Sequence, residues 1–253
     1  QIDFGPITWA VSEPQSGVLF ARRSVQAVVR EFEKAGGRMI LGKAETPTTD
    51  NAITSIKVGD QAVPAGKFVF ACGPWLGKVF PEVLGDRIFP TRQEVFYFGV
   101  PPGDNRFGPP KMPAWIDFGA EIYGIPDLES KGFKVAIDKH GPKFDPDLGE
   151  RLVTAESTAM VKQFVAERFP ALKDAPIVGT EVCQYENSSN GDFLVDRHPQ
   201  HSNVWLVGGG SGHGFKHGPG LGAYVADRVT KGGPTDPKFS LATKEKVQAR
   251  AVH

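Results

Sequence analysis

Long apolar runs are missing from this sequence. No stretch approaches the roughly 18–20 apolar residues that cross a bilayer, and the first residues lack a signal-peptide pattern, so no membrane partner is expected. Cysteine is scarce. Two residues, Cys72 and Cys183, do not make a secreted disulfide framework, which leaves the reducing cytoplasm as the expected compartment and a single bridge as an open alternative. Charge of either sign is not in excess: 29 basic and 29 acidic residues cancel, which excludes a general nucleic-acid or anionic-membrane surface. Methionine is rare too. The chain opens on Gln1 and reaches its first methionine at Met39, so we expect that something upstream was removed or belongs elsewhere.

Two signature motifs are also absent. A dinucleotide fingerprint G-x-G-x-x-G would follow a strand and open a helix. Gly208-Gly209-Gly210 fails it because the sixth position is His213, and Gly218-x-Gly220-x-x-Ala223 fits a looser form only in number, with Pro219 in the turn. A nucleophile elbow G-x-S-x-G fails at Ser211, where His213 stands in place of the last glycine. His198, His201, His213 and His217 cluster in sequence, but without i, i+4 helical presentation beside a carboxylate base they read as structural or surface residues, and no metal site is expected.

What is present is a chain of 253 residues, enough for one large domain or two. Ser24 reads as an N-cap for a helix carrying Val25, Val28, Val29 and Phe32, ended by Gly36-Gly37. Arg38 to Lys43 reads as a strand. Asn51 to Gly59 and Gln61 to Val63 read as a hairpin around Gly59-Asp60, and Phe68 to Cys72 as a buried strand. Trp75 to Val83 suggests a short helix. Arg87 to Val100, Trp115 to Ile125 and Phe133 to Ile137 suggest a second sheet. Val153 to Phe169 is the clearest helix, with Ala155, Ala159, Met160, Phe164, Val165 and Phe169 on one side and Pro170 as its stop. Glu181 to Tyr185 and Phe193 to Asp196 read as short strands. Val204 to Ala226 then reads as a strand, a glycine-dense turn and a helix with Leu221, Val225 and Val229 on one face. Such a turn brings bare backbone and a positive helix end to one place, which suits a large, partly anionic ligand; a crowded strand-to-helix turn is the plainer alternative. The tail from Gly232 is polar and expected to be loosely held. The order of elements predicts a mixed α/β fold of two interleaved lobes.

The residues from Cys183 to Lys216 carry a resemblance. They run Cys183, Tyr185, Phe193-x-x-Asp196-x-His198-Pro199, then Ser211-Gly-His-Gly-Phe-Lys216. Upstream, Ser16-Gly-Val-Leu-Phe20, Ala71-Cys-Gly-Pro-Trp75, Pro90-Thr-Arg-Gln93 and Gly132-Phe-Lys134 fall in matching order. The sequence resembles the D-amino-acid-oxidase-like FAD-dependent oxidoreductases, in the branch of the monomeric sarcosine oxidases and fructosyl-amine oxidases, over almost its whole length. It looks like the C-terminal two-thirds of such an enzyme, without the N-terminal G-x-G-x-x-G segment.

The resemblance implies a discontinuous FAD-binding lobe (18–84 and 179–232), an antiparallel substrate-binding lobe (1–17 and 85–178) and a tail (233–253). It implies FAD, attached through Cys183, with Gly73, Trp75, Gly210, Ser211, Gly212, His213, Gly214, Phe215 and Lys216 around it. Lys134 matches a lysine near flavin N5 that promotes reaction with oxygen, Lys216 one that pairs with a substrate carboxylate, and Tyr185 a residue lining the same cavity. The implied partners are a small amine or amino-acid substrate, oxygen and the missing N-terminal segment. The implied reaction is oxidation of a secondary or N-substituted amino acid, with imine hydrolysis and hydrogen peroxide as a product. A dehydrogenase using another acceptor, or a non-catalytic fragment that binds no flavin, are the alternatives. One departure stands out: those oxidases tend to carry a histidine a few residues after the lysine, whereas here Asp138 stands near that position and His140 is displaced.

Overall fold

The computed structural model describes residues 1–47 and 51–249. Helix α1, Ala21–Lys34, starts a turn earlier than the expected Ser24 cap. Phe20 takes the cap position without a side-chain hydrogen bond, because Ala21, Arg22 and Arg23 are good helix formers and carry the helix past Ser24. Its end follows the sequence: Gly36 adopts φ 92°, and Phe32 packs back against Gly37. The strand expected over Arg38–Lys43 does not form. Only Ala44 bridges to a neighbour, Val58, and Leu41 is 96% exposed; without a partner ladder the stretch makes no sheet. Strands β1, Ser55–Val58, and β2, Gln61–Pro64, make the expected hairpin, with Val58 opposite Gln61 across Gly59-Asp60.

β3, Phe68–Phe70, is followed by a tight turn at Gly73–Trp75 and two single-turn helices, α2 (Leu76–Val79) and α3 (Pro81–Leu84). β4 covers Ile88–Phe98, β5 Trp115–Asp117, β6 Ile122–Ile125 and β7 Phe133–Ile137. Helix α4 spans Ala155–Arg168 and is capped by Thr154, whose hydroxyl accepts from the Ser157 amide at 3.1 Å. β8, Ile177–Ser188, is longer than the sequence suggested, β9 is Leu194–Arg197 and β10 is Val204–Gly208. Helix α5, Gly218–Lys231, closes the regular structure. The fold is mixed α/β, as expected.

The chain divides into two units. Among the described residues the first comprises Gln1–Val18 and Thr91–Gln184, the second Leu19–Pro90 and residues 185–249. The chain therefore changes unit within β4 and within β8. The five-stranded sheet has the order β5-β6-β7-β4-β8, with antiparallel pairing from β5 through β4. One face of the first unit's strands carries Phe96, Phe98, Phe133 and Val135, which pack with Val161, Phe164 and Val165 of α4. The opposite face carries Val95, Tyr97, Tyr123 and Ala136, as the two-residue period of a strand requires.

In the second unit β10 is the middle strand of three, parallel to β3 and antiparallel to β9. Phe68, Phe70, Leu76, Phe80, Leu194, Val204 and Leu206 form its main core, and Val225 of α5 packs beside Val195, Trp205 and Val207. The tail is not loosely held. Lys244 is fully buried, and its Nζ donates to the Lys238 carbonyl at 2.8 Å, Thr243 Oγ1 at 3.1 Å and Asn190 Oδ1 at 3.3 Å. Arg87 donates to the Lys244 carbonyl, and the Ala249 amide donates to the Ser189 carbonyl at 2.9 Å. Polar composition misled here because these groups bond to protein rather than water. Residues 250–253 of the expected tail lie outside the described residues.

Candidate functional site

Lys134 and Cys183 lie in the first unit. Lys134 sits on β7 opposite Tyr97 of β4 and Ile125 of β6, on the sheet face turned away from the α4 core. Its Nζ is 5.1 Å from the centre of the Tyr123 ring, within cation–π range. Burial pushes its ammonium below the usual lysine range, while the Cys183 and Glu181 charges act against that shift. Cys183 is exposed as a residue, yet the protein packed on one side of its thiol desolvates it and raises it, with Glu181 adding to the rise. Lys134 is the foremost influence in the other direction. The two groups thus hold each other's charged forms, and a thiolate at Cys183 depends on its cationic neighbours. Arg151 braces the strand on both sides of the cysteine, donating to the Val182 carbonyl at 3.2 Å and to Gln184 Oε1 at 3.0 Å. Alongside, Glu181 accepts from Tyr97 Oη at 3.2 Å and from Lys131 Nζ at 3.1 Å.

Gly73, Trp75, Tyr185 and the run from Gly210 to Lys216 lie in the second unit. The turn after β10 folds over β8. Ser211 has φ 46°, and its amide donates to the Glu186 carbonyl at 2.9 Å. Its hydroxyl is spent within the fold, donating to the Gly209 carbonyl at 3.1 Å and accepting from the Ser188 amide at 3.2 Å. Ser211 therefore holds the turn's shape. Gly212, at φ 79°, lies so close to Tyr185 that a Cβ would sit 2.6 Å from the ring. His213 directs Nε2 at the Gly191 carbonyl, 3.1 Å away, and its ring centre is 5.7 Å from that of Phe193. Phe215 and Lys216 are exposed. Gly73 turns at φ 55°, and a Cβ there would meet no atom within 4 Å. Trp75 is partly exposed.

Three neighbours escape the sequence reading. Tyr97 and Tyr123 join Lys134 through cross-strand register, and Glu181, two residues before Cys183 on β8, accepts from Tyr97. Glu186 is a fourth. Burial pushes its carboxyl up to about 7, with the nearby Gly209 and Gly210 amides acting against the rise. Among the described residues no group of three or more His, Cys, Asp or Glu is arranged to hold a metal ion. No helix there is long and apolar enough to cross a membrane.

The fold is similar to that of the deglycating fructosamine oxidase Amadoriase II from Aspergillus fumigatus, with a TM-score of 0.77 at 20% identity, over 91% of this chain and 60% of that one. In sequence the chain is 31% identical to monomeric sarcosine oxidase of Bacillus sp. (strain NS-129) across 88% of its own length, and 29% identical to N-methyl-L-tryptophan oxidase of Salmonella heidelberg (strain SL476) across 85%. It spans 59% and 57% of those relatives. The family model "FAD dependent oxidoreductase" (DAO) matches residues 2–228, and the chain belongs to that family.

Proposed function

We propose that the complete protein oxidises a secondary or N-substituted amino acid. The observation that carries this reading is Lys134 beside Tyr123, with Cys183 and Glu181 acting on its charge. The residues present fit FAD. The backbone after β10 is shaped by φ > 0 positions at Gly209, Ser211 and Gly212, and Gly218, Gly220 and Gly222 at the start of α5 would place a Cβ against nothing within 4 Å. Bare backbone and a helix N-terminus suit a flat, electron-rich, partly anionic group. Bound FAD would supply hydride acceptance from the carbon beside the amine nitrogen and electron transfer to oxygen, with an imine that water hydrolyses and hydrogen peroxide as products.

Each residue then has a role. Cys183 tethers the cofactor, and Lys134 holds a fixed positive charge where negative charge develops on oxygen. Gly73, Trp75 and Gly210 to Phe215 bound the cofactor. Lys216 pairs with the substrate carboxylate, and Tyr185 lines the substrate's space. We also infer a further segment of the same protein that completes the nucleotide site. Helix α1 has no buried residue, and Val25, Val28 and Phe32 stay exposed along it. An amphipathic helix with a bare apolar face belongs under another element.

The test is the colour of the protein expressed with its upstream coding sequence. The wild type is yellow and keeps its colour on acid precipitation, while Cys183→Ser releases it. A colourless precipitate from wild type overturns the tether, and a protein that takes up no flavin overturns the function. Lys134→Met should still be reduced by substrate but lose its reaction with oxygen; oxygen uptake at the wild-type rate overturns the role given to Lys134. Turnover with a dye but not with oxygen assigns a dehydrogenase.

A further inference from the structure

We propose that Glu186 is a positioning residue for the glycine turn, and that its proton occupancy sets the charge held behind that turn. This rests on the reading of the turn as the cofactor-facing wall. The geometry is specific. Glu186 follows Tyr185 on β8, so the two side chains leave the strand on opposite faces. Tyr185 meets Gly212, whereas Glu186 lies under Gly208, where a Cβ would collide with Oε1 and come within 2.8 Å of Leu76 Cδ2. The Gly209 and Gly210 amides lie near the carboxyl and act against its rise, and the Glu186 carbonyl takes the amide of Ser211. One residue thus faces the turn with both its side chain and its backbone carbonyl. Oε1 is buried and has no hydrogen-bond partner.

An uncompensated oxygen in such a place disfavours the carboxylate. The ionised form would put a negative charge directly behind a turn whose other side is assigned to an electron-rich ring. The protonated form removes that charge and leaves a neutral carboxyl facing the turn. Among the described residues the titratable group coupled to Glu186 is Cys72, at the end of β3, whose thiol is raised by burial and then by the Glu186 charge. From α2 the group at the same spot is apolar, Leu76.

The experiment reads the carboxyl directly. The chain is labelled with carboxyl-13C glutamate and 15N glycine and titrated by NMR, with Glu186→Gln as the assignment variant. The expected result is a Glu186 resonance that titrates near pH 7, with the Gly209 and Gly210 amides moving at the same midpoint. In Glu186→Gln that shared midpoint is lost while the remaining spectrum keeps its dispersion. A second readout is alkylation by iodoacetamide above neutral pH, followed at the peptides of Cys72 and Cys183 separately. Cys72 should react faster in Glu186→Gln and Cys183 at an unchanged rate. A Glu186 resonance that titrates in the ordinary carboxylate range, or glycine amides that ignore it, overturns the proposal. Neither readout needs flavin, so a protein that shows this coupling but binds no flavin refutes the function and leaves the positioning role standing.

Discussion

Replacing Gly212 with alanine should destabilise the second unit, and the structure says by how much. Two penalties combine. Gly212 sits at φ 79°, and a new Cβ would lie 2.6 Å from Tyr185 Cε2 and 2.8 Å from Cδ2. The left-handed backbone costs a non-glycine residue about 1–2 kcal/mol. Forcing a methyl group into a filled space costs about 1–3 kcal/mol more. The sum, roughly 2–5 kcal/mol, is a large part of the about 5–15 kcal/mol that holds a typical protein folded. Gly222→Ala is the internal control: it lies inside α5 with no atom within 4 Å of its Cβ position, so alanine there should stabilise by up to about 1 kcal/mol. Urea titration of the three proteins checks both signs. With m about 2 kcal/mol per molar, the Gly212→Ala midpoint should fall by about 1–2.5 M and the Gly222→Ala midpoint should rise. A Gly212→Ala midpoint equal to wild type would refute the packing of the turn on Tyr185.

Phe133→Ala removes a fully buried ring whose centre lies 4.8 Å from Phe169 and 5.5 Å from Phe107. It should cost about 3–5 kcal/mol in the first unit, measured as a urea midpoint. Lys244→Ala strips donors from Asn190, Thr243 and the Lys238 carbonyl. It should cost about 2–3 kcal/mol, with residues beyond Gly232 becoming the first site of limited proteolysis. His198 and Glu186 give opposing pH terms. Burial, then His201, holds His198 down at about 4, against about 6.5 unfolded, so the unfolded chain binds the extra proton and stability falls as pH drops through that window. Glu186 is raised from 4.5 to about 7, so the folded chain binds the extra proton and stability falls as pH rises through that range. Each term is worth about 3 kcal/mol at most. Where the windows overlap they cancel, so His198→Asn should expose a decline with rising pH and Glu186→Gln a rise. Two flat profiles would contradict both burial effects.

The hairpin at Gly59-Asp60 was legible because a two-residue turn pins its own register. The long helix was legible too, and half of its face. Of Ala155, Ala159, Met160, Phe164, Val165 and Phe169, expected on one side, the structure buries Phe164, Val165 and Phe169, adds Val161, and leaves Ala155, Ala159 and Met160 exposed. The face is chosen by what the helix meets, here Trp115, whose ring stacks at 5.7 Å on Phe164. Arg38 to Lys43 reads as a strand but has no ladder to join. In the candidate site, contiguous residues could be read and cross-strand ones could not. Ser211 and Gly212 announced a turn, but nothing local says that the serine hydroxyl is consumed inside it. Lys134 stood out through its flanking residues, while Tyr123 is its neighbour only by register with β6.

The parallel pairing of β3 with β10 joins Phe68–Phe70 to Val204–Leu206. Everything between them must be synthesised before that ladder can close, and closing so wide a loop is slow. The β5-β6-β7 meander needs only near neighbours, so it can form while the chain is still emerging. Until residue 206 is available, Phe68 and Phe70 wait as an apolar strand with an open edge, which is a template for unwanted self-association. A chain cut short before Val204 should therefore be insoluble even though its antiparallel half is complete, and low temperature or chaperone supply during expression should matter most for the interval before the last fifth of the chain is made.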